Sequence, residues 1–304
     1  MPQGIYLPEG LRMESRQNLR YTADRSGMAR AMADGAILEG EAVACSADGD
    51  LTVRMGRLEG VIPRAEAVLD ASKPIAILSR VGRPVCFTVI GRQGERYILS
   101  RRAAQQAART YFTENLEPGE VVHCRVTHLE SFGAFVDLGC GLPALIGIEN
   151  ISVSRIGHPS DRFMPGQTIS AVVLSVDRAS GRVVLTHREL LGTWEENLGD
   201  IEPGQTRLGI VRGIPEYGVF VELTPNLSGL AEPYHGTLEK GDGVSVYVKS
   251  VLRDRMKIKL QIIDRLGRQR RPIREEDYFI RSGRLESWRY SPPECHSKLV
   301  YTQF

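Results

Sequence analysis

The sequence predicts an all-β protein with linking helices, in which three small barrels follow one another along the chain. The first observation behind this prediction is an internal repeat, because residues 117–120 (EPGE) and residues 202–205 (EPGQ) each open a β-rich stretch. The second is a strand that both stretches share, which reads FGAFVDL from Phe132 and YGVFVEL from Tyr217. Phe135 and Phe220 lie 85 positions apart within this pattern, which indicates two copies of one unit.

A third and weaker copy precedes these two. Residues 39–43 (EGEAV) match the opening, residues 49–56 (GDLTVRMG) match the shared strand, and Thr52 stands where Phe135 does. Each copy contains about five short strands with alternating faces and glycine-bearing turns, in roughly 65–75 residues. That size and strand count are typical of a five-stranded Greek-key barrel of the OB type. We therefore expect three tandem five-stranded OB-fold barrels.

Helical patterns separate the copies. Residues 101–115 contain the run AAQQAA and have high helix propensity. Residues 189–198, around Trp194, predict a shorter helix, and residues 23–32 predict another that Gly35 stops. The predicted organisation is an N-terminal extension with a short helix (1–34), a degenerate first barrel (35–102), a helical linker (103–117), a second barrel (118–188), a helical linker (189–201), a third barrel (202–264) and a basic C-terminal tail (265–304).

The composition is that of a folded protein, with 42% hydrophobic residues and a net charge of +2. This charge excludes a histone-like polycation but not nucleic-acid binding, which depends on how basic residues are distributed. No run approaches the ~18 apolar residues of a membrane-spanning helix, and residues 1–5 lack the apolar stretch of a secretory signal. The five scattered cysteines favour free thiols in a reducing compartment. We therefore expect a cytoplasmic protein without membrane partner or cofactor, and a zinc site of Cys124, His123 and His128 is disfavoured.

The shared strand predicts a surface of exposed aromatic rings. Alternation places Val136 inside the barrel and Phe135 and Asp137 outside, and a bulge or coil at Gly133 would bring Phe132 to the same outer face. The same reasoning places Tyr217 and Phe220 outside the third barrel. Exposed rings form a platform for unpaired bases, worth ~1–3 kcal/mol per base. The alternative is that the rings pack against the linking helices or a neighbouring barrel.

Basic side chains near these faces are candidates for phosphate contacts, and about half of them would be solvated without function. An arginine-rich segment, residues 265–274, is a candidate electrostatic arm whose phosphate contacts salt would weaken. The aromatic end, residues 288–304, is expected to dock back onto the last barrel. The candidate basic residues are Arg125, Arg155, Arg182 and Arg188 in the second copy and Lys249, Arg253, Lys257 and Lys259 in the third.

The second copy resembles the S1-type RNA-binding domain of the ribosomal protein S1 family, through PGEVVHCRVTHLESFGAFVDLGCG, LIGIENISVSRIGHPSDRFMPGQ and VVLSVDRASGRVVLTHREL. The third copy resembles it through VRGIPEYGVFVELTPNLSGLAEP and VYVKSVLRDRMKIKL, and the first copy does so more distantly. The resemblance implies an RNA face of two strand aromatics, a histidine in the following strand, and an Asp/Arg pair at the last hairpin. The matching positions are Phe132, Phe135, Asp177 and Arg182 in the second copy and Tyr217, Phe220 and Lys257 in the third.

The chain departs from the family pattern at the histidine position, where Gly147 and Glu232 stand. An acidic Glu232 would repel phosphate. The first copy has Gly49 and Thr52 at the aromatic positions, and the resemblance implies that such a leading domain contacts protein or ribosome more than RNA.

No phosphate-binding loop or hydrolase motif is present in the sequence, so we expect a binding protein rather than an enzyme. The favoured hypothesis is a ribosome-associated translation protein that binds single-stranded RNA or mRNA and meets the small ribosomal subunit through the first barrel. The alternative is a protein–protein adaptor with little RNA affinity. The predicted RNA-binding residues are Phe132, Phe135, Arg155, His158, Asp177, Arg182, Tyr217, Phe220, Lys249 and Lys257, with His158 in a turn-forming or phosphate-contacting role.

Overall fold

A computed structural model describes residue 4 and residues 6–69 and 75–304. Residues 1–3 and 5 of the predicted N-terminal extension, and residues 70–74 of the predicted first barrel, lie outside the described residues.

Three closed five-stranded barrels account for most of the described strands, which confirms the predicted fold class. In each barrel the first strand pairs antiparallel with the second and the fourth, and the third pairs parallel with the fifth. Barrel 1 comprises β1 (Leu38–Cys45), β2 (Leu51–Met55), β3 (Leu58–Ile62), β4 (Arg83–Gln93) and β5 (Arg96–Ser100); barrel 2 comprises β6 (Val121–Glu130), β7 (Gly133–Gly139), β8 (Leu142–Gly147), β9 (Thr168–Asp177) and β10 (Arg182–Thr186); barrel 3 comprises β11 (Thr206–Gly213), β12 (Val219–Thr224), β13 (Leu227–Ala231), β14 (Asp242–Leu252) and β15 (Lys257–Arg268).

Alternation along the strands fills each barrel with aliphatic side chains. In β7, Ala134, Val136 and Leu138 are buried, as the period of two requires. The helices lie outside the barrels: α1 (Arg16–Thr22), α2 (Arg25–Ala33), α3 (Ile75–Leu78), α4 (Arg101–Asn115) and α5 (Trp194–Leu198). None of the described helices is long and apolar enough to cross a membrane.

Helix α4 has the bounds that its sequence predicts. The Ser100 side chain accepts a hydrogen bond from Ala103 N at 2.8 Å and caps its first turn. The predicted helix over residues 189–198 was wrong in part. A 3₁₀ turn covers Arg188–Leu191, and α5 begins only after Gly192, whose φ of 79° ends the turn. A Cβ at Gly192 would lie 2.6 Å from Phe279, so this break also depends on a close tertiary contact. The helix predicted over residues 23–32 is present as α2, with Asp24 as its N-cap, and the sequence reasoning missed α1, which precedes it.

The joint between barrels 1 and 2 is a buried charged network around Glu9. Arg101, the first residue of α4, donates to both carboxylate oxygens of Glu9 at 2.7 and 3.0 Å. Burial raises the pKa of Glu9, but Arg101 and Arg80 lower it by more, and the net shift is downward. The backbone N–H of Glu9 donates to Asp137 at 2.7 Å, and burial raises the pKa of Asp137 to about 7. Asp137 therefore points out of its barrel, as alternation predicts, but is covered by the N-terminal segment.

The joint between barrels 2 and 3 is also charged and buried. Arg162, between β8 and β9, donates to Glu222 of β12 at 2.6 Å, and these two side chains are both 0% exposed. Arg212 of β11 donates to the same Glu222 oxygen at 2.6 Å. A carboxylate shared by two guanidinium groups leaves no unpaired negative charge in this interface.

The C-terminal tail is part of the fold rather than a free arm, which corrects the arm hypothesis. Strand β15 runs on to Arg268, past the predicted barrel boundary at residue 264, and Arg265 forms an ion pair with Asp242 at 2.7 Å. Arg271 donates to Leu223 O at 2.7 Å. The pairing of β14 with β15 over their full length brings Arg265 close to Asp242, whereas Arg271 lies beyond β15 and reaches β12.

The C-terminal tail packs on barrel 2 through Tyr278 and on barrel 3 through its aromatic end. Tyr278 lies in the barrel 2 core and its hydroxyl accepts from Ser170 N at 3.2 Å. Trp288 and Tyr290 lie in the barrel 3 core beside Trp194. A hairpin of β16 (Ser287–Arg289) and β17 (Tyr301–Gln303) closes the tail.

Candidate nucleic-acid interface

Barrel 2 carries two neighbouring aromatic rings on its outer surface. Phe132 is 54% exposed and Phe135 is half-buried, and their ring centroids lie 6.0 Å apart at an interplanar angle of 87°. The predicted bulge at Gly133 was wrong, because Gly133 pairs regularly with Gly147. Phe132 lies instead in the turn before β7, and the turn carries its ring to the face of Phe135. The linking helices leave both rings open to solvent.

A histidine completes this face from the neighbouring strand. His128 of β6 pairs with Phe135, and the two rings stack with centroids 4.4 Å apart and planes 10° apart. A register shift between Val126 and His128 turns the imidazole to the outer surface. Sequence reasoning sought a histidine at position 147 and missed this one. The available signal was hairpin counting, because His128 and Phe135 are equally distant from the turn at residues 131–132.

The hairpin between β9 and β10 positions the predicted Asp/Arg pair. Asp177 and Arg182 are cross-strand partners, and both are exposed. Asp177 accepts from the Ser180 hydroxyl at 2.5 Å and from Ala179 N at 3.0 Å. The Ser180 hydrogen bond is the main cause that lowers the pKa of Asp177. Asp177 thus shapes the turn, and Arg182 stands two residues before Val184, which is joined to Phe135 through Leu145.

Barrel 3 repeats the ring geometry almost unchanged. Tyr217 is 67% exposed and Phe220 is 39% exposed, with centroids 6.2 Å apart at 89°. Tyr217 lies in a turn, and Gly218 is in coil before β12, as the sequence predicts. Phe220 pairs with Leu230, and Leu230 pairs with Lys259.

The cations of barrel 3 differ in their availability. Lys257 and Lys259 alternate on the exposed side of β15. Lys249 forms an ion pair with Glu232 at 2.7 Å, and both side chains are exposed. Glu232, which is expected to repel phosphate, therefore also pairs with the lysine that was a candidate for contacting phosphate.

Barrel 1 has an aliphatic surface at the same strand positions. Thr52 pairs with Val61, which pairs in parallel with Ile98. No aromatic ring stands at these three positions, in agreement with the weaker sequence match of the first copy.

The loop between β8 and β9 contains two more predicted residues. His158 is the N-cap of a 3₁₀ turn, where its Nδ1 accepts from Ser160 N at 3.1 Å, so it has the turn-forming role that the sequence allowed. Arg155 is exposed and forms no ion pair with any residue that the structure describes.

Three of the other candidate cations have partners within the protein. Arg125 donates to Glu9 O at 2.9 Å and belongs to the joint between barrels 1 and 2. Arg188 donates to Thr302 Oγ1 at 3.2 Å, and Arg253 pairs with Glu195. Sequence alone could not separate these structural arginines from surface ones, because their partners are distant along the chain.

The cysteine and histidines weighed as a zinc site do not converge. Cys124 is buried in the barrel 2 core, His123 contacts Ser170 at 3.1 Å, and His128 stacks on Phe135. Among the described residues there is no group of three or more His, Cys, Asp or Glu side chains that could hold a metal ion.

Residues 115–188, which span barrel 2, match the family model of the S1 RNA binding domain. The chain is 32% identical over 231 residues to the small ribosomal subunit protein bS1 homolog of Bacillus subtilis, covering 70% of this chain and 59% of that protein. It is 33% identical over 224 residues to the small ribosomal subunit protein bS1 of Neisseria meningitidis, covering 71% and 39%. The chain thus spans about three fifths or less of these relatives.

A solved structure of a multidomain protein with nucleic acid binding domains from Streptococcus pneumoniae shares 14% identity, with 76% of this chain and 74% of that chain covered and a TM-score of 0.26. The resemblance to the ribosomal protein S1 family that the sequence predicts is confirmed by the family match and by the bS1 relatives.

Proposed function

We propose that this chain, as a carrier of S1-type RNA-binding barrels, binds single-stranded RNA, including mRNA, by stacking unpaired bases on barrels 2 and 3. One observation carries this proposal. Each of these barrels exposes two perpendicular rings in the same geometry, with centroids 6.0 and 6.2 Å apart. Exposed aromatic pairs on a small barrel suit bases of any sequence, because every base has a flat face.

In barrel 2 the stacking surface comprises Phe132, Phe135 and His128. Since His128 covers one face of Phe135, a base would stack on the imidazole or beside Phe132. Arg182 would contact a phosphate as a charge-assisted donor. Asp177 keeps the hairpin in shape, and His158 does the same for its loop.

In barrel 3 the stacking surface comprises Tyr217 and Phe220. Lys257 and Lys259 would take phosphates from the adjacent strand β15. Lys249 contributes less, because Glu232 must release it first.

Barrel 1 would hold a protein partner rather than RNA. Its face of Thr52, Val61 and Ile98 offers no ring for stacking. The relatives that match this chain are named small ribosomal subunit proteins, and we extend that association to this chain through barrel 1, as a cytoplasmic binding protein rather than an enzyme. The division into barrels at residues 35–102, 118–188 and 202–268, the last extended by the observed end of β15, is part of this proposal.

Titration of a fluorescent single-stranded RNA at several salt concentrations tests the proposal. Affinity should fall with salt with a log–log slope of ~0.7 per phosphate neutralised. Phe220→Ala and Phe132→Ala should each weaken binding by ~1–3 kcal/mol. Tyr301→Ala, which removes an exposed ring from the C-terminal hairpin, is the matched control and should leave affinity unchanged.

Absence of binding at low salt would reject RNA recognition and leave the protein-adaptor alternative. The ribosomal part is tested separately by co-sedimentation with small ribosomal subunits. Substitution of Val61 by glutamate should release the protein from them without changing RNA affinity.

A further inference from the structure

The loop between β8 and β9 belongs to barrel 2 by sequence but packs on barrel 3. Val153 N donates to Asn226 Oδ1 at 2.9 Å. Ser154 Oγ and Ser228 Oγ lie 2.9 Å apart. We call residues 152–161 the bridging loop.

The far end of the bridging loop is anchored on the same barrel. Asp161 forms an ion pair with Arg212 of β11 at 3.1 Å. The next residue, Arg162, reaches Glu222 at 2.6 Å. Because both ends are held by barrel 3, the loop has a fixed position on that barrel's surface.

That position is beside the two rings of barrel 3. Phe220 and Glu222 are alternate residues of β12 and share its outer face, at a separation of ~7 Å along the strand. Their partners on β13 are Leu230 and Ser228. Ser154 therefore touches the row of side chains directly next to the row that contains Phe220.

The ion pairs around this face leave Arg155 unpaired among the described residues. Glu222 is the acid nearest to Phe220 along β12, and Arg162 and Arg212 neutralise it in the buried joint. Lys249 is paired with Glu232. Arg155 follows Ser154 directly and is exposed, and it has no carboxylate partner in the described part of the chain.

We infer that the RNA site of barrel 3 is composite, with Arg155 of the bridging loop contacting a phosphate of the strand that stacks on Tyr217 and Phe220. This inference rests on the proposed RNA binding and reassigns Arg155 from the face of its own barrel to that of the next. A single RNA strand on barrel 3 would then be held by two barrels at once.

Double-mutant cycles in the full chain test this assignment. Arg155→Ala should weaken binding of a single-stranded RNA by about tenfold, as for one lost hydrogen bond to a charged group, and should reduce the salt slope by ~0.7. In a Tyr217→Ala/Phe220→Ala background, Arg155→Ala should lower RNA affinity by less than about twofold, which is no larger than the usual error of additivity between independent sites. In a Phe132→Ala/Phe135→Ala background it should keep its full effect.

Controls separate charge from fold and from function. Arg155→Lys should restore most of the salt slope, and Arg16→Ala, at an exposed position of α1, should change neither affinity nor slope. If Arg155→Ala is silent in the barrel 2 background and costly in the barrel 3 background, Arg155 serves barrel 2 and the inference is wrong. If the wild type binds RNA and Arg155→Ala binds it with the same affinity, the inference is also wrong. A wild type that fails to bind RNA rejects the proposed function itself.

Discussion

In barrels 2 and 3 the same strand presents a ring to solvent and also docks a neighbouring element, and the two barrels differ in the groups that make the docking contact. In each, a phenylalanine of the shared strand is left open for a ligand, and the acid two residues later is buried under a neighbouring element. Asp137 is covered by the N-terminal segment and accepts backbone N–H groups, from Glu9 at 2.7 Å and Gly139 at 2.8 Å. Glu222 is covered by barrel 2 and accepts from Arg162 and Arg212.

The difference shows that one strand position can dock a neighbour through either amides or guanidinium groups. In barrel 2, burial and the nearby Glu9 carboxylate raise the pKa of Asp137 to about 7, and the hydrogen bonds from backbone N–H groups oppose this shift. The guanidinium solution pairs the acid with two arginines inside the joint, and both of those side chains are buried. It also brings a loop of the preceding barrel beside the rings of barrel 3.

The largest expected effect is at the joint between barrels 1 and 2. Arg101→Met should lower the free energy of unfolding by about 4 kcal/mol, because it leaves the buried Glu9 with Arg80, at 3.4 Å, as its remaining ion-pair partner. Urea unfolding, followed by far-ultraviolet circular dichroism of the backbone, measures this change. A loss below about 1 kcal/mol would show that the network tolerates an unpaired carboxylate.

The joint between barrels 2 and 3 should be somewhat less sensitive. Arg162→Met is expected to cost about 3 kcal/mol, since Glu222 keeps Arg212 as a partner. Arg182→Met is the matched control at an exposed site and should stay within about 0.5 kcal/mol of the wild type. An equal cost for the two arginines would remove the distinction between the buried joint and the surface.

The first joint should also respond to pH. Burial raises the pKa of Glu39 from 4.5 to about 7, so the folded protein holds a proton that the unfolded chain releases. This contribution to stability is complete below pH 4.5 and is lost as the pH rises to about 7. Glu39→Gln should flatten the profile in this window, by about 3 kcal/mol between its ends. Urea unfolding at pH 5, 6, 7 and 8 measures it, and a parallel profile for the two proteins would contradict the assignment.

The smallest effect distinguishes the two RNA faces. Barrel 3 has Gly213 opposite Phe220, where barrel 2 has His128 opposite Phe135. His128→Ala should weaken RNA binding by about 1 kcal/mol, the lower range for one stacked base. His128→Phe should preserve affinity, and His296→Ala at an exposed tail position should have no effect. Equal affinity of the alanine variant and the wild type would limit the imidazole to packing on Phe135.

Sequence reasoning reached the barrels because their signals are local. Alternation placed Val136 inside and Phe135 outside, and propensity defined α4 to the residue. It did not reach the features that depend on distant partners. The position of His128 on the aromatic face follows from the hairpin register. The helix break at Gly192 depends on contact with Phe279, 87 positions later. The sequence suggested a free arm for the arginines between residues 265 and 274, because the partners of Arg265 and Arg271, Asp242 and Leu223, lie 23 and 48 positions earlier in the chain.

The placement of Tyr278 has a consequence for how this chain folds during synthesis. Barrel 2 has all of its strands by Thr186, yet its core is closed by a ring that is translated more than 90 residues later. The hydroxyl of that ring contacts Ser170 N and His187 Nε2, both buried. A nascent barrel 2 would therefore emerge with an uncovered apolar surface, with water in place of the Tyr278 hydroxyl at these two groups, and would mature only after barrel 3 had left the exit tunnel. Domain-by-domain maturation, the usual order for tandem modules, is thereby replaced by closure of two modules together.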